Sequence, residues 1–190
     1  RFGKDRVGDS EFLKLKSEEI GINVEVIDSK VLDREAISSS RIRVALASGV
    51  IELVNEMLGR PYSIHGIVKP GKAMGRKIGF PTLNLEWEPQ CKPVYGVYAG
   101  FLTRESSAKR LPAVANYGLR PTVENQALLP RLEIHSIEEL DHMEWKTGIF
   151  LKMELYHFIR PEKKFDSLDD LKFQITKDKE HARELLDKLS

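Results

Sequence analysis

The sequence predicts a mainly β fold: a small antiparallel, Greek-key-like barrel followed by one C-terminal helix. Runs rich in strand-forming residues alternate with turn signals over much of the chain. The predicted strands cover residues 63–69, 94–103, 111–117, 130–137 and 148–159, with a further extended run at 81–85. Asp166 or Ser167 then caps a helical run that ends close to Leu189. Short antiparallel strands followed by one helix favour a barrel with a packed helix.

The first 59 residues carry mostly helical signals and are expected to form a separate α/β fragment. Helices are predicted over residues 11–20, 41–48 and 50–58, and a strand over residues 23–28. The helical periodicity stops at Gly59-Arg60-Pro61-Tyr62, where strand-like alternation begins. We therefore expect two domains, residues 1–59 and residues 60–190.

The composition limits the classes of partner. The chain has 190 residues and a net charge of +1, from 30 basic and 29 acidic residues. So small a net charge argues against a positive electrostatic potential over the whole protein that would attract nucleic acid. The single cysteine, Cys91, excludes an internal disulfide framework and fits a reducing compartment. No signal peptide and no long apolar run is visible. We expect a cytoplasmic protein with neither a nucleic-acid nor a membrane partner.

The most informative stretch, residues 66–85, combines four glycines with four cations. They are Gly66, Gly71, Gly75 and Gly79, and Lys69, Lys72, Arg76 and Lys77. Glycines let the backbone approach a ligand closely, and exposed N–H groups beside cations form an anion site, most commonly for phosphate. On composition alone, a solvated hairpin loop is the more common explanation. The stretch is not a Walker P-loop, because no Gly-Lys-Ser/Thr follows its last glycine.

The end of the same stretch carries a candidate metal site. Pro81 fixes the entry into an extended run, in which Thr82 and Asn84 point to one face and Leu83 and Leu85 to the other. A hydroxyl and an amide carbonyl on one face are hard oxygen ligands, which suit Mg²⁺.

Two later stretches each have a structural explanation beside a functional one. Residues 116–122 are explained as a turn that closes a strand. In the next predicted strand Glu133 and His135 face one side and Leu132 and Ile134 the other, as on a solvated outer face. Both stretches also remain open to a functional role.

Two stretches that precede helices also have both a structural and a functional explanation. Residues 158–168 form a charged segment before a helix cap, in which Arg160 can bind phosphate and Phe165 can pack in the core. Residues 37–43 place three serines before a helix, where they cap it, although hydroxyls and arginines at a helix start also bind phosphate.

Together these motifs resemble the riboflavin kinases. The segment Gly75-Arg76-Lys77-Ile78-Gly79-Phe80-Pro81-Thr82-Leu83-Asn84 resembles the family's glycine-rich loop that runs into Pro-Thr-x-Asn. The later motifs Asn-x-Gly-x-Arg-Pro-Thr, Glu-x-His and Arg-x-Glu-x-x-Phe-Asp-Ser-Leu are matched from Asn116, from Glu133 and from Arg160. Residues 136–148 lack the family's usual Asp-Phe-x-Gly-Asp-Leu-Tyr-Gly. The resemblance covers residues 60–190 as a complete module.

The resemblance implies that the γ-phosphoryl group of ATP is transferred to the 5′-hydroxyl of riboflavin, giving FMN and ADP, with Mg²⁺ as cofactor. Glu133 is the implied catalytic base. The implied ATP-binding residues are Gly71, Gly75, Arg76, Lys77, Gly79, Pro81, Thr82 and Asn84, of which Thr82 and Asn84 also hold the metal. The implied flavin-binding residues are Asn116, Arg120, His135, Arg160 and Phe165.

The N-terminal segment resembles the end of an FMN adenylyltransferase domain, which is a Rossmann-like nucleotidylyltransferase. Its late motif is matched by Ser38, Ser39, Ser40 and Arg43, and Phe2-Gly3-x-x-Arg6-x-Gly8-Asp9 agrees with the same family. In bacteria such a domain commonly precedes a riboflavin kinase, and the bifunctional chain also makes FAD. The family's upstream His-x-Gly-His motif is absent. We expect residues 1–59 to be the last third of that domain, whose missing part is the partner of this chain.

Two other functions remain open. A non-catalytic nucleotide- or nucleic-acid-binding barrel would need aromatic residues interleaved with cations on one face, and no such stripe is visible. Adenylyl transfer from ATP to FMN by these residues would need the absent upstream motif.

Overall fold

A computed structural model describes residues 2–71, 74–87, 90–105, 107, 109–121, 128–140 and 145–189. The chain forms two compact units, Arg1–Ile37 and Ser38–Ser190. The division follows Ile37, which differs from the domain boundary predicted at residues 59–60.

In the first unit, a short 3-10 turn at Lys4–Arg6 precedes helix α1, Ser10–Ile20. The helix begins where Phe12 donates its backbone N–H to Asp9 Oδ1 at 3.0 Å, and it ends at Gly21, whose φ is 69°. A two-stranded hairpin follows, β1 (Val31–Leu32) and β2 (Glu35–Ala36). The helix agrees with the sequence prediction.

The strand predicted over residues 23–28 is wrong, because this segment has no regular secondary structure. Val26 is 42% exposed and Ile27 is 87% exposed. The alternation of apolar residues therefore buries no apolar face, and burial is what normally holds a strand in place.

The second unit opens with helices α2, Ser39–Ala47, and α3, Ile51–Leu58. Ser38 caps α2 by accepting the backbone N–H of Arg41 at 3.2 Å. The Asn55 side chain on α3 donates to the carbonyl of Leu155 at 2.9 Å and accepts the N–H of Tyr62 at 2.7 Å. Both contacts tie α3 to barrel strands, which explains why the compact unit includes these helices.

The described residues of this unit form a closed antiparallel barrel of six strands in the spatial order β3-β4-β7-β6-β5-β8. The strands are β3 (Tyr62–Lys69), β4 (Leu83–Glu86), β5 (Gly96–Arg104), β6 (Arg110–Pro121), β7 (Leu128–Ser136) and β8 (Phe150–Pro161). Two connections, β4 to β5 and β7 to β8, skip neighbouring strands. The predicted Greek-key-like barrel is thereby confirmed.

Two further helices belong to the barrel unit. The short α4, Met74–Lys77, lies within the glycine-rich stretch, for which the composition favours a loop. The long α5 spans Leu168–Leu186 and continues into a 3-10 turn at Asp187–Leu189. Ser167 caps α5 by accepting the backbone N–H of Asp170 at 3.0 Å, as predicted.

The described residues of the barrel unit include two apolar cores. The interior of the barrel is filled by side chains with no solvent exposure, such as Ile64, Tyr98, Leu132, Ile134 and Met153. The second core lies outside the barrel wall, where Val97, Ala99, Phe101, Val114 and Ile137 pack with Ala182 and Leu186 of α5. One outer face of the sheet is therefore covered by α5.

Candidate active site

A row of cross-strand neighbours crosses the outer face of the barrel. Asn84 on β4 pairs with Glu133 on β7, Glu133 with Asn116 on β6, Asn116 with Val97 on β5, and Val97 with Arg160 on β8. Directly paired residues of antiparallel strands place their side chains on the same face of the sheet. The row therefore brings together five side chains from distant parts of the sequence.

A cavity of about 240 Å³ lies over this row and under the first turns of α5. The predicted site residues that line it are Gly75, Thr82, Asn84, Asn116, Glu133, His135, Arg160 and Phe165. Sequence reasoning missed the other lining residues, Ile78, Phe80, Val97, Val114, Glu162, Lys163, Leu171, Ile175 and Asp178. Those on α5 carry only an amphipathic helix signal, so no local motif identifies them.

A second cavity, of about 400 Å³, adjoins the first. Thr82 and His135 line both cavities and so mark where the two meet. Of the predicted residues, Arg76, Gly79 and Pro81 line the second cavity as well. The residues that the sequence did not single out there are Leu83, Ser136, Ile137, Glu138, Glu139, Leu140, Trp145 and Lys179.

The remaining predicted residues lie elsewhere. Lys77 is exposed and lines neither cavity. Arg120 belongs to β6, but its side chain lies outside the described part of the structure, as does Lys72. Of the predicted adenylyltransferase residues, Ser38 caps α2, and Ser39, Ser40 and Arg43 are exposed on that helix.

Three glycines of the glycine-rich stretch serve different purposes. A Cβ added at Gly75 would overlap the carbonyl oxygen of Phe80, whose N–H donates to the Gly75 carbonyl at 2.8 Å. A Cβ added at Gly71 would overlap the side-chain amide of Asn84. Only Gly79 has a positive φ, of 89°, which favours glycine. Gly71 and Gly75 are thus needed for close packing within the protein.

His135 is a buried imidazole. Its side chain is 9% exposed, and its Nδ1 lies 2.9 Å from the carbonyl oxygen of Pro81. A carbonyl only accepts, so Nδ1 carries a hydrogen, and in the neutral form of the ring Nε2 is an acceptor. Nε2 is buried and has no hydrogen-bond partner among the residues that the structure describes. It can therefore accept a hydrogen bond from a ligand.

Burial lowers the pKa of His135 below its usual value, and the nearby Lys179 ammonium lowers it further, while the hydrogen bond to Pro81 opposes them. The unfolded chain therefore binds the proton more readily, and stability should fall as the pH drops below about 6.5. We expect a His135→Asn variant, whose amide can still donate to the Pro81 carbonyl, to lose less unfolding free energy over the same drop in pH. Urea unfolding of both proteins at several values between pH 5 and pH 8 measures the difference. Equal slopes of unfolding free energy against pH in the two proteins would mean that His135 does not contribute to the pH dependence of stability.

Comparison with known protein families decides the class of protein. The family model described as Flavokinase, riboflavin kinase, matches residues 58–186, which is more than half of the chain. The chain belongs to the riboflavin kinase family. The members of this family are riboflavin kinases, so the resemblance seen in the sequence is confirmed and the non-catalytic barrel is not favoured.

The curated relatives of this riboflavin kinase domain are longer proteins. The chain is 41% identical over 183 residues to the bifunctional riboflavin kinase/FMN adenylyltransferase of Haemophilus influenzae, covering 96% of this chain and 58% of the relative. It is 38% identical over 184 residues to the protein of the same name from Escherichia coli K12, covering 97% and 57%. The chain thus spans a little more than half the length of these relatives.

A solved structure shares the fold of this riboflavin kinase family member. It is described as the crystal structure of a macrolide-efflux protein from Streptococcus pneumoniae, with a TM-score of 0.79 and 29% identity, covering 96% of this chain and 57% of that chain. That description concerns the other protein. In the described part of this chain, no helix has the length and apolar character that crossing a membrane requires.

The oxygen donors Thr82 and Asn84 of the candidate site fit a magnesium ion only together with other ligands. Thr82, just before β4, and Asn84, within it, line the same cavity, and Asn84 is 7% exposed. Among the described residues, no group of three or more His, Cys, Asp or Glu side chains can hold a metal ion. Neutral oxygen donors of this kind suit Mg²⁺ when phosphate and water oxygens complete its shell.

Arg160 is held by a carboxylate of α5. Its Nε lies 3.0 Å from both oxygens of Asp178, and its Nη2 lies 2.7 Å from Oδ2. The guanidinium also lies 5.8 Å from the centre of the Phe165 ring, in a cation–π contact. The sequence predicted Arg160 as a flavin-binding residue but gave no sign of this partner, because the two residues meet only when α5 packs on the barrel.

Proposed function

We propose that this kinase domain transfers the γ-phosphoryl group of ATP to the 5′-hydroxyl of riboflavin, giving FMN and ADP. The observation that carries the proposal is the position of Glu133 in the cross-strand row. It lies between Asn84, a candidate metal ligand, and Asn116, a candidate flavin ligand. A carboxylate in that position faces both substrates at once.

The two cavities offer a place for each substrate. Riboflavin would occupy the cavity under α5, which Val97, Val114, Leu171 and Ile175 make largely apolar at one end. ATP would occupy the second cavity, with Arg76 and Gly79 beside its phosphates, while Gly75 of the same turn lines the first cavity. Thr82 and His135 line both cavities. The phosphoryl group would therefore pass from ATP in the second cavity to riboflavin in the first beside these two residues.

In the proposed reaction the 5′-oxygen of riboflavin forms a bond to the γ-phosphorus, and the bond from that phosphorus to the β–γ bridging oxygen breaks. The hydroxyl proton goes to the Glu133 carboxylate, and ADP leaves with the electron pair. Phosphoryl transfer depends mainly on positioning and on stabilisation of charge. Glu133 and the residues that hold it would therefore align the hydroxyl as well as accept its proton.

Thr82 and Asn84 would hold Mg²⁺, which neutralises charge on the transferring group when it is bound. We expect Asn84→Ala to raise the Mg²⁺ concentration needed for half-maximal FMN formation by at least about 10-fold, since changes around a metal ligand commonly cost that much. The measurement is FMN and ADP formation, followed by chromatography, over a Mg²⁺ titration.

Asn116→Ala is the matched control for this titration. It removes an amide on the other side of Glu133, and should change the KM for riboflavin while leaving the Mg²⁺ requirement as in the unaltered protein. Equal Mg²⁺ dependence of Asn84→Ala and the unaltered protein would reject Asn84 as a ligand. If the unaltered, folded protein formed no FMN, the kinase proposal itself would be wrong.

We also propose that the longer parent protein adenylylates FMN to FAD, as the names of its relatives indicate for those proteins. Residues 1–59 would contribute the end of that domain, and the family match from residue 58 agrees with a kinase domain that begins near residue 60. The 190 residues lack the His-x-Gly-His motif. They should therefore make FMN without FAD, which the same chromatography tests. The cytoplasmic location stays a prediction.

A further inference from the structure

We propose that Asp178 is a positioning residue that presents Arg160 to the carbonyl edge of the flavin ring rather than to a phosphate group. This rests on the proposed function, since it concerns how the first cavity recognises riboflavin. The pair lies at the end of the cross-strand row that is remote from Glu133.

Asp178 is built into the structure as a buried acceptor. It is 4% exposed and accepts from Nε and Nη2 of Arg160 at 2.7–3.0 Å and from the Gln174 side chain at 2.9 Å. Gln174 lies one turn earlier on α5 and holds the carboxylate from the other side. A buried carboxylate with this many donors fixes the plane of the guanidinium.

The contacts of Arg160 leave one edge of its guanidinium to a ligand. The group has five N–H bonds. Asp178 accepts from Nε–H and from one hydrogen of Nη2, and the carbonyl of Pro161 accepts from Nη1 at 3.0 Å. Among the residues that the structure describes, no protein group accepts the remaining N–H of either terminal nitrogen, and Arg160 lines the cavity. Two such donors suit a ligand edge that carries carbonyl oxygens.

The charge balance favours an uncharged ligand at this end of the cavity. Asp178 neutralises Arg160, and the other charged residues that line the cavity nearby, Glu162 and Lys163, are exposed and opposite in sign. Val97, Leu171 and Ile175 supply apolar walls. A flavin ring is neutral and planar, with two carbonyl groups on its pyrimidine edge, whereas a phosphate dianion would meet a cation that is already paired.

The spacing of the row supports the same orientation. Glu133 and Arg160 are separated by three strand-to-strand steps, through Asn116 and Val97. Each step is about 4.8 Å, so the two residues lie on the order of 14 Å apart along the sheet. With the 5′-hydroxyl at Glu133, the ribityl chain would run along the row and place the ring at Arg160.

The test compares riboflavin with lumiflavin, which has the ring but no ribityl chain. Quenching of flavin fluorescence gives the Kd of riboflavin, lumiflavin and FMN, and calorimetry gives that of ATP, for the unaltered protein, Asp178→Asn, Arg160→Lys and the double variant. We expect Asp178→Asn to weaken the binding of riboflavin and of lumiflavin by a similar factor, roughly 10- to 100-fold for a lost hydrogen bond to a charged group. The double variant should bind no worse than the weaker single variant, because both act through one contact.

Glu180→Gln is the matched control. Glu180 is an exposed carboxylate on the same helix, so its replacement should leave the Kd values of riboflavin and lumiflavin unchanged.

Unchanged lumiflavin binding by Asp178→Asn, with weaker FMN binding, would assign the pair to phosphate and overturn the proposal. An equal loss of ATP affinity would indicate a merely structural role and also overturn it. If Asp178→Asn failed to fold, Arg160→Lys would decide alone. Formation of FMN by the unaltered protein, measured separately, tests the kinase function independently.

Discussion

Replacement of Glu133 by glutamine should lower turnover by roughly 100- to 10,000-fold, the range usual for loss of a general base. Glutamine preserves the size of the side chain and its place in the row between Asn84 and Asn116. It cannot take the proton of the riboflavin hydroxyl. Because the shape of both cavities is kept, the KM values for ATP and riboflavin should change much less than kcat. Steady-state kinetics with coupled ADP detection measures both.

Glu138→Gln provides the comparison for this experiment. Glu138 is exposed, lines the second cavity, and pairs with Lys109 at 3.4 Å on the surface. Exposed ion pairs contribute little, so its loss should leave kcat within about twofold. A Glu133→Gln protein that retained nearly full turnover would remove Glu133 from the role of base. A large rise in both KM values with little change in kcat would make it a binding residue.

The sequence correctly predicted which side chains of a strand share a face, but it did not predict what covers each face. Leu132 and Ile134 are fully buried inside the barrel, while Glu133 and His135 lie on the opposite face, as the alternation indicates. The period of two in a strand needs no knowledge of the partner strands. The outer face was expected to be either solvated or functional, and only the packing of α5 shows that it is covered.

The residues that were missed share a physical cause. Leu171, Ile175, Asp178 and Lys179 approach the site because α5 docks against β5, β6 and β8. Docking of a helix depends on the shape and register of the completed barrel, which no local pattern contains. The predicted strand at residues 23–28 failed for the related reason that a pattern of apolar residues forms a strand only where a partner and a buried face exist.

The register of the barrel sets the chemistry of the site. A slip of one residue in β7 would turn Glu133 towards the interior and Leu132 or Ile134 towards the cavity. The pairing of Asn84 with Glu133 therefore does more than close the sheet, because it fixes the side of the wall on which the carboxylate lies. Two apolar cores, one on each side of the wall, hold this register.

Replacement of Gly75 by alanine should lower kcat/KM for ATP by roughly 100-fold, because a displacement of about 1 Å in a substrate-positioning segment can cost that much. The added Cβ would overlap the carbonyl oxygen of Phe80, and a backbone atom cannot turn aside as a flexible side chain can. The turn from Gly75 to Phe80 must then open, which moves Thr82 and the backbone N–H groups proposed to hold the phosphates. Although Gly75, Ile78 and Phe80 also line the riboflavin cavity, riboflavin binding should be affected less, since most of its proposed contacts lie on β5, β6, β8 and α5.

Gly66→Ala is the matched control for the Gly75 variant, because its added Cβ would lie 3.2 Å from Cδ2 of Leu85, the end of a side chain that can shift by a few tenths of an ångström. Initial rates at varied ATP, together with thermal unfolding of both variants, separate a displaced turn from a destabilised barrel. Equal and small effects of the two substitutions on kcat/KM for ATP would show that the Gly75 turn does not position the nucleotide. A loss confined to Gly75→Ala, in a protein that unfolds at nearly the original temperature, would place the ATP phosphates at this turn.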